Sequence, residues 1–391
     1  MKTYDFDEQI DRCGTGCVKY DQRQATFGTD DLLPMWVADM DFRTPDCVFD
    51  AIRRRMEHPI LGYTSLPADY FRVSARWITE RHGWTPREEW MGFLPGIVPG
   101  LSFAVQVFTE PGDEVVVQPP VYHPFLHSVE RNGRTLVFNP LRIVDGRWEM
   151  DFDDLERKLT GRTRLLILCN PHNPGGRLWP RDTLVRLARL CAERGVTVVS
   201  DEIHADMALG GRRHIPFASV CDEARDHSIT YMSPSKSFNM PGLITSYYII
   251  PNPGLRNRLA AFLEKSELNG GNIFAYEATR AVYLHGREWL DQMLAYVQGN
   301  IDLVARFLAE RVPAIRPMLP EASFLVFLDC RGLGMEGDDL QRFFIERVKV
   351  GMNDGRMFGP GGEGFLRLNV ACPRSTVEEA LRRMEAAIAE R

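Results

Sequence analysis

Lysine is scarce in this chain: it occurs only at positions 2, 19, 158, 236, 265 and 349, so nearly all the positive charge is arginine. Lys236 stands apart from the rest, in Ser233-Pro234-Ser235-Lys236-Ser237, directly after the apolar run Ser228–Met232. An amine at the exit of a buried strand, between two hydroxyls, is placed to react with a carbonyl rather than to sit in solvent. Four other apolar runs end on residues with chemistry of their own. VTVVS leads into Asp201-Glu202-Ile203-His204, and a carboxylate at the end of a buried strand needs a partner. RLLILC leads into Asn170-Pro171-His172-Asn173-Pro174-Gly175-Gly176, two asparagines among turn formers. EVVVQ leads into Pro119-Pro120-Val121-Tyr122, an aromatic ring on a stiffened loop, and WMGFL leads into Pro95-Gly96-Ile97-Val98 at the start of a helix. Singly, each has a plainer reading as a structural acid, a turn, a packed ring or a turn glycine. The ordered set does not.

An amine, a carboxylate, an amide, an aromatic face and an anion-binding helix start are the parts that pyridoxal 5'-phosphate (PLP) chemistry requires. The amine forms a Schiff base with the aldehyde, and the carboxylate keeps the pyridine nitrogen charged so that the ring accepts electrons from the substrate α-carbon. The amide holds the phenolic oxygen, the aromatic ring stacks on the cofactor, and hydroxyls with helix N–H groups grip the phosphate. The chain supplies these in the order Gly96, Tyr122, Asn173, Asp201, Lys236.

Such exits act together only if the strands are parallel, because ligands bind beyond the carboxyl ends of an open α/β sheet. The strand candidates are Trp90–Leu94, Glu114–Gln118, Arg164–Cys169, Val196–Ser200, Ser228–Met232 and Ile244–Ile250. Helical patterns lie between several of them; in Arg181–Arg194, Leu184, Leu187, Ala188 and Cys191 recur at three- and four-residue spacing. That alternation predicts an α/β fold with a mainly parallel central sheet covered on both faces. After Gly254 the pattern turns helical (Leu255–Ser266, Ile273–Leu284, Glu288–Glu310). A smaller α/β region follows, with strands at Ser323–Leu328 and Gly364–Asn369 and helices at Gly337–Val348 and Val377–Glu390. The expected division is a large domain at 45–285 and a small one made of 1–44 with 286–391.

Composition narrows the function classes. Among 391 residues, Lys+Arg 47 against Asp+Glu 53 leaves −6, with 44% hydrophobic and 26% charged residues. These are ordinary globular proportions without the basic face of a nucleic-acid binder. No stretch approaches the ~20 apolar residues of a membrane span. MKTYDFDEQIDRCG has no apolar run of the secretory kind, and the eight cysteines are scattered, which is the expectation for reduced thiols in the cytoplasm. His123 and His127 are four apart but lack the acid of a zinc-binding HExxH helix, Pro124 interrupts the expected helix, and no metal is expected. Gly359–Gly364 (GPGGEG) precedes a strand and carries an acid, so it reads as a tight turn presenting Arg367 rather than a phosphate loop.

The sequence resembles the fold-type I PLP enzymes and, within them, the MalY/PatB-type C–S lyases (cystathionine β-lyases). The likeness runs almost end to end, through YDFDEQIDRCGTGCVKYD, PMWVADMDF, GYTS, PGIVPGLSFAVQVF, CNPHNPGGR, VTVVSDEIHADM, SPSKSFNMPGL and FGPGGEGFLRLN. It implies the aspartate-aminotransferase-like fold, with Lys236 carrying the cofactor, Asp201 pairing with the pyridinium and Asn173 bonding the phenolic oxygen. His204 would stand near that oxygen, where many aminotransferases have tyrosine, and Tyr122 would stack on the ring. The backbone of Gly96, Ile97 and Val98 would hold the phosphate with Ser233 and Ser235. Tyr63 would reach the phosphate of a neighbouring subunit, which implies a homodimer with shared sites. Arg367 would take the substrate α-carboxylate, near Asn173, and the loop around Trp36–Ala38 would close over the substrate.

The implied reaction is α,β-elimination on cystathionine or cysteine to pyruvate, ammonia and a thiol, with Lys236 as general base. The alternative is a class I/II aminotransferase using the same residues. A regulatory contact with another protein is a third role, implied by relatives rather than by any motif here. Cys17 and Gly351–Arg356 (GMNDGR) depart from the pattern, the latter beside the substrate pocket. Ile244 stands eight residues after the lysine, where aspartate-type aminotransferases carry a phosphate-binding arginine.

Overall fold

The computed structural model describes residues 2–391. Seven strands form its central sheet: β1 (Met91–Leu94), β2 (Glu114–Val117), β3 (Thr135–Phe138), β4 (Thr163–Cys169), β5 (Thr197–Asp201), β6 (Ser228–Met232) and β7 (Ser246–Ile249). In space they run β1-β7-β6-β5-β4-β2-β3, with β3, β2, β4, β5 and β6 parallel to one another and β7 antiparallel to both β6 and β1. Every residue of β1, β2, β6 and β7 is buried, as expected of strands covered by helices on both faces.

The covering helices follow the expected pattern. Helix Arg181–Glu193 buries Leu184, Leu187, Ala188 and Cys191. Helix Ile97–Phe108 crosses β1 so closely that a Cβ on Gly100 would lie 2.4 Å from Leu94 Cδ2, which only glycine avoids. A second, antiparallel sheet is made of β8 (Arg316–Met318), β9 (Leu325–Asp329), β10 (Asn353–Asp354) and β11 (Phe365–Asn369), in the order β8-β9-β11-β10. Helices Arg287–Arg311 and Arg374–Ala389 pack beside it.

The N-terminal arm is fastened to this second body. Phe6 packs in the core against Phe42, Trp289 and Tyr296, and Leu33–Pro34 pairs with Val350–Gly351. Between arm and sheet, the loop around residues 36–44 is clamped at both ends. Asn369 Nδ2 donates to the carbonyls of Val37 and Asp39 (2.6 Å each), and Asn239 Nδ2 donates to those of Met40 and Phe42 (3.0 and 2.8 Å).

Three details differ from the sequence-based expectation. The edge strand β3 and the hairpin Arg142–Val144/Arg147–Glu149 were not expected, because both are short and partly exposed and so lack a long apolar run. The stretch expected as one helix at Gly337–Val348 is α-helical only to Arg342 and widens into a π-helix over Phe343–Val348. Its buried residues Leu340, Phe344 and Val348 recur every four positions, a spacing that a wider turn accommodates better than 3.6 residues. Pro124 does not interrupt a helix but opens one, Pro124–Glu130, at the first position where its missing N–H is no loss.

Candidate active site

Because β4, β5 and β6 are parallel, their exits share one edge of the sheet, and β7 and β1 close it. All but two of the expected site residues line one cavity there of about 220 Å³: Ala38, Gly96, Ile97, Val98, Tyr122, Asn173, Asp201, His204, Ser233, Ser235 and Lys236. Cys169, Ile203, Ile244 and Thr245 complete much of its wall. Two cavities of about 580 and 700 Å³ flank helices Tyr70–His82 and Arg287–Arg311, but neither brings a lysine to a carboxylate.

The charges in and beside the cavity make no ion pair with any described side chain; Asp201 and Arg367 are buried and Lys236 is largely so. Lys236 Nζ donates to the carbonyl oxygen of Ala38 at 2.6 Å, and burial lowers its pKa to about 8; Arg367 adds to the shift while Asp39 and Asp201 oppose it. Asp201, the last residue of β5, accepts only the Ile203 N–H (3.0 Å), and burial raises its pKa to about 7. Arg367, from β11, donates to Asn173 Oδ1 (3.1 Å), the Trp36 carbonyl (3.0 Å) and Asn353 Oδ1 (2.6 Å). All three acceptors are neutral, Nε has no partner, and burial lowers the guanidinium's pKa to about 10. Its plane also sits over the Phe358 ring at 5.0 Å. A carboxylate is the bidentate partner that this fork lacks. His204 is held neutral, its pKa lowered to about 3 by burial with Lys236 and Arg367 adding, and its Nδ1 is buried without a partner.

One end of the cavity is built for an anion. Helix Ile97–Phe108 starts there, and the N–H groups of Ile97 and Val98 precede its first intrahelical bond and have no acceptor among the described residues. The Ser233 and Ser235 hydroxyls lie 2.8 Å apart beside it. The expectation for Gly96 needs correction. Its N–H is already donated inward, to Leu94 O and Ser246 Oγ (2.9 Å each), so it is not free for a ligand. What Gly96 contributes is its φ of +107°, a conformation that starts the helix at this point and disfavours a side chain.

Comparison with known proteins agrees with this geometry. The family described as aminotransferase class I and II matches residues 31–384. The chain is 47% identical to cystathionine beta-lyase PatB of Bacillus subtilis, covering 98% of this chain and 99% of that one. It is 35% identical to protein MalY of Escherichia coli, covering 97% of each. The crystal structure of the PLP-bound C–S lyase of Staphylococcus hominis superposes with a TM-score of 0.92 at 35% identity, covering 99% of this chain and 98% of that one. The chain belongs to the class I and II aminotransferase family. Within it, the likeness to PatB and MalY places it in the PLP-dependent branch that the sequence motifs indicated.

The remaining expected residue of this family member, Tyr63, is not brought to the cavity by its own chain. It is fully exposed, in an irregular segment with Ile60 and Leu61. Other residues around the site were missed. Cys169 is buried in the cavity wall, where its Sγ accepts the Asn173 N–H at 3.2 Å; its place as the last residue of RLLILC, four before Asn173, was the available signal. Asn353 lies in the atypical GMNDGR stretch, but only the pairing of β10 with β11 shows that it faces Arg367. The Trp36 carbonyl has no signature in its side chain at all.

Proposed function

We propose that the chain is a PLP-dependent carbon–sulfur β-lyase acting on cystathionine- or cysteine-type substrates. The observation that carries this reading is the set of three charges around one cavity that make no ion pair: Lys236, Asp201 and Arg367. Each lacks what the cofactor or its substrate would bring. Lys236 would hold the cofactor covalently through Nζ, and a charged ring nitrogen would supply the cation that Asp201 is missing. The Ile97 and Val98 N–H groups with Ser233 and Ser235 would hold the phosphate, Tyr122 and Asn173 would hold the ring, and His204 would stand beside its oxygen. When bound, PLP supplies an electron-accepting ring that stabilises negative charge on the substrate α-carbon.

The chain's own residues do the rest. Arg367 grips the substrate carboxylate and so orients the Cα–H bond. Lys236 Nζ takes the proton from Cα, and a pKa near 8 leaves roughly a tenth of the amine neutral at pH 7, enough for a general base. Departure of the β-thiolate then gives pyruvate and ammonia after hydrolysis. The loop at Ala38, anchored by Asn239 and Asn369, covers the lysine. The region 45–285 is proposed as the cofactor-binding domain, and 1–44 with 286–391 as the domain that supplies Arg367.

Two copies of the chain are proposed to share their sites. Met56, Ile60, Leu61 and Tyr63 are all more than half exposed, an apolar strip that a second copy would cover, bringing Tyr63 toward that copy's phosphate end. The test of the function is release of pyruvate and thiol from a panel of cysteine S-conjugates, run beside an amino acid/2-oxo acid pair. Pyruvate with stoichiometric thiol from wild type, and none from Lys236→Ala, is the expected result. A new amino acid without thiol would move the assignment to aminotransfer.

A further inference from the structure

Behind the cavity wall lies a second buried cluster of titratable groups that the reaction above does not use. Asp206, two residues beyond His204, is buried and accepts three side-chain hydrogen bonds. Oδ1 takes Trp77 Nε1 (3.0 Å) and His82 Nε2 (2.9 Å), both from helix Tyr70–His82. Oδ2 takes the hydroxyl of Ser237 (3.1 Å), the residue next to Lys236. Arg81 from the same helix donates to the Asp206 carbonyl at 3.2 Å. Burial pushes the Asp206 carboxyl up, but His82, Arg81 and Trp77 outweigh it and hold the carboxyl below its ordinary range, so it is a charged anchor. The His82 ring meets that of His214 edge-on at 5.3 Å, and His214 Nε2 lies 2.7 Å from Glu202, the neighbour of Asp201.

Lys236 itself has little to fix it. Its side chain makes one hydrogen bond, to a loop carbonyl, and its backbone lies in the turn that Pro234 and Ser235 hold through their carbonyls to Phe238 and Met240. Ser237 is fully buried, and its hydroxyl is, among the described residues, the side-chain hydrogen bond that joins that turn to Asp206, beside the edge-on packing of the Phe238 and Trp77 rings at 5.7 Å. We propose that Asp206 is a positioning residue for Lys236, holding the lysine's turn through Ser237 against helix Tyr70–His82. This rests on the reading of Lys236 as the cofactor-bearing amine. Because the anchor shares no hydrogen-bond partner with Arg367, loosening it should disturb the amine and not the carboxylate dock.

The experiment compares cofactor-loaded wild type with Ser237→Ala, Asp206→Asn, Trp77→Phe and Lys236→Ala. Its readouts are the pH midpoint of the visible cofactor absorption, kcat and KM separately, and Tm. Ser237→Ala, which removes one hydroxyl and leaves the fold intact, and Asp206→Asn are expected to move the midpoint by about 0.5 pH unit or more. They are expected to lower kcat about tenfold with KM within about twofold, the signature of a displaced reacting group. Trp77→Phe takes one donor from Asp206 but leaves its bond to Ser237, so it should lower Tm alone. Wild-type midpoints and kcat in Ser237→Ala would overturn the proposal, whether or not Asp206→Asn folds. So would a Trp77→Phe enzyme whose midpoint moves as far as that of Ser237→Ala. If Lys236→Ala keeps the visible absorption, the assignment of the lysine fails instead, which separates the two readings.

Discussion

Arg177 and Arg367 are both buried, and they have opposite surroundings. Arg177 places one guanidinium nitrogen 2.6 Å from Glu321 and another 2.6 Å from Glu149; burial lowers its pKa, but the two carboxylates outweigh it and the net shift is upward. Arg367 finds two amide oxygens and a carbonyl, and its pKa falls. Lysine repeats the contrast. Lys19 is fully buried against Asp41 at 2.7 Å, in a network with Arg12, whereas Lys236 faces a carbonyl. The residue types are the same, and burial differs only in that Lys236 keeps some exposure where it lines the cavity, so neither identifies a site. What distinguishes the cavity is missing counter-charge, which an incoming ligand has to provide.

The sharpest way to break that contrast is to remove each arginine in turn. Arg367→Met should lower kcat/KM by about two to three orders of magnitude, since a buried hydrogen-bonded charge pair with the substrate carboxylate contributes roughly 2–5 kcal/mol. It should lower Tm less than Arg177→Met does, because the acceptors it leaves unpaired are two amides and a carbonyl rather than carboxylates. Arg177→Met should do the reverse, with near-normal turnover and a loss of about 3 kcal/mol of stability, because it strands Glu149 and Glu321. Steady-state kinetics and denaturant unfolding of both variants decide the matter. If both lose activity and stability alike, the contrast is not functional.

An effect of similar size is expected from Asp201→Asn in cofactor-free protein. Asp201 titrates near 7 when folded and near 3.8 when unfolded, so the folded state is increasingly disfavoured as pH rises from 3.8 to 7, and fully so above 7. The asparagine variant should therefore be the more stable of the two at pH 7, by about 4 kcal/mol, and no different below pH 3.8. Loading the cofactor should reverse the order at pH 7, because the carboxylate then has its cation. Thermal unfolding with and without PLP at both pH values measures this.

The parts of this site that the sequence displays are those in which one run of residues holds both signal and position. Asp201 ends a buried strand, and Lys236, Asn173 and Tyr122 stand in the turns just after one, so an apolar run, a turn former and a reactive group suffice to find them. Arg367 was legible only through family likeness, since on its own it is one more arginine in a strand. Asn353, the Trp36 carbonyl and the Asp206–Ser237 tie were not legible, because their partners lie 14 to 331 residues away and meet only when separate layers pack. The free N–H that Gly96 seemed to offer failed for the same reason: Ser246 comes to it from a strand 150 residues on. The fold itself was easier, because parallel buried strands are continuous apolar runs, and only short half-exposed elements such as β3 escaped.

Lysine provides the last and finest test. Lys236 titrates near 8 in the folded chain against 10.5 unfolded, so protonation favours the unfolded state. Stability from this group is full above 10.5 and is lost as pH falls to 8, the opposite sense to a paired lysine. Lys236→Met should therefore stabilise the cofactor-free protein by about 3 kcal/mol below pH 8, with the gain vanishing by pH 10.5. Lys19→Met should destabilise it across the same range, since it takes one of two cations from the buried Asp41 and leaves only Arg12. Urea unfolding of the two variants at pH 7 and 10.5 puts opposite signs on two lysines of one chain. If Lys236→Met were destabilising at pH 7, the amine would have a counter-charge after all, and the difference between a structural cation and a waiting one would disappear.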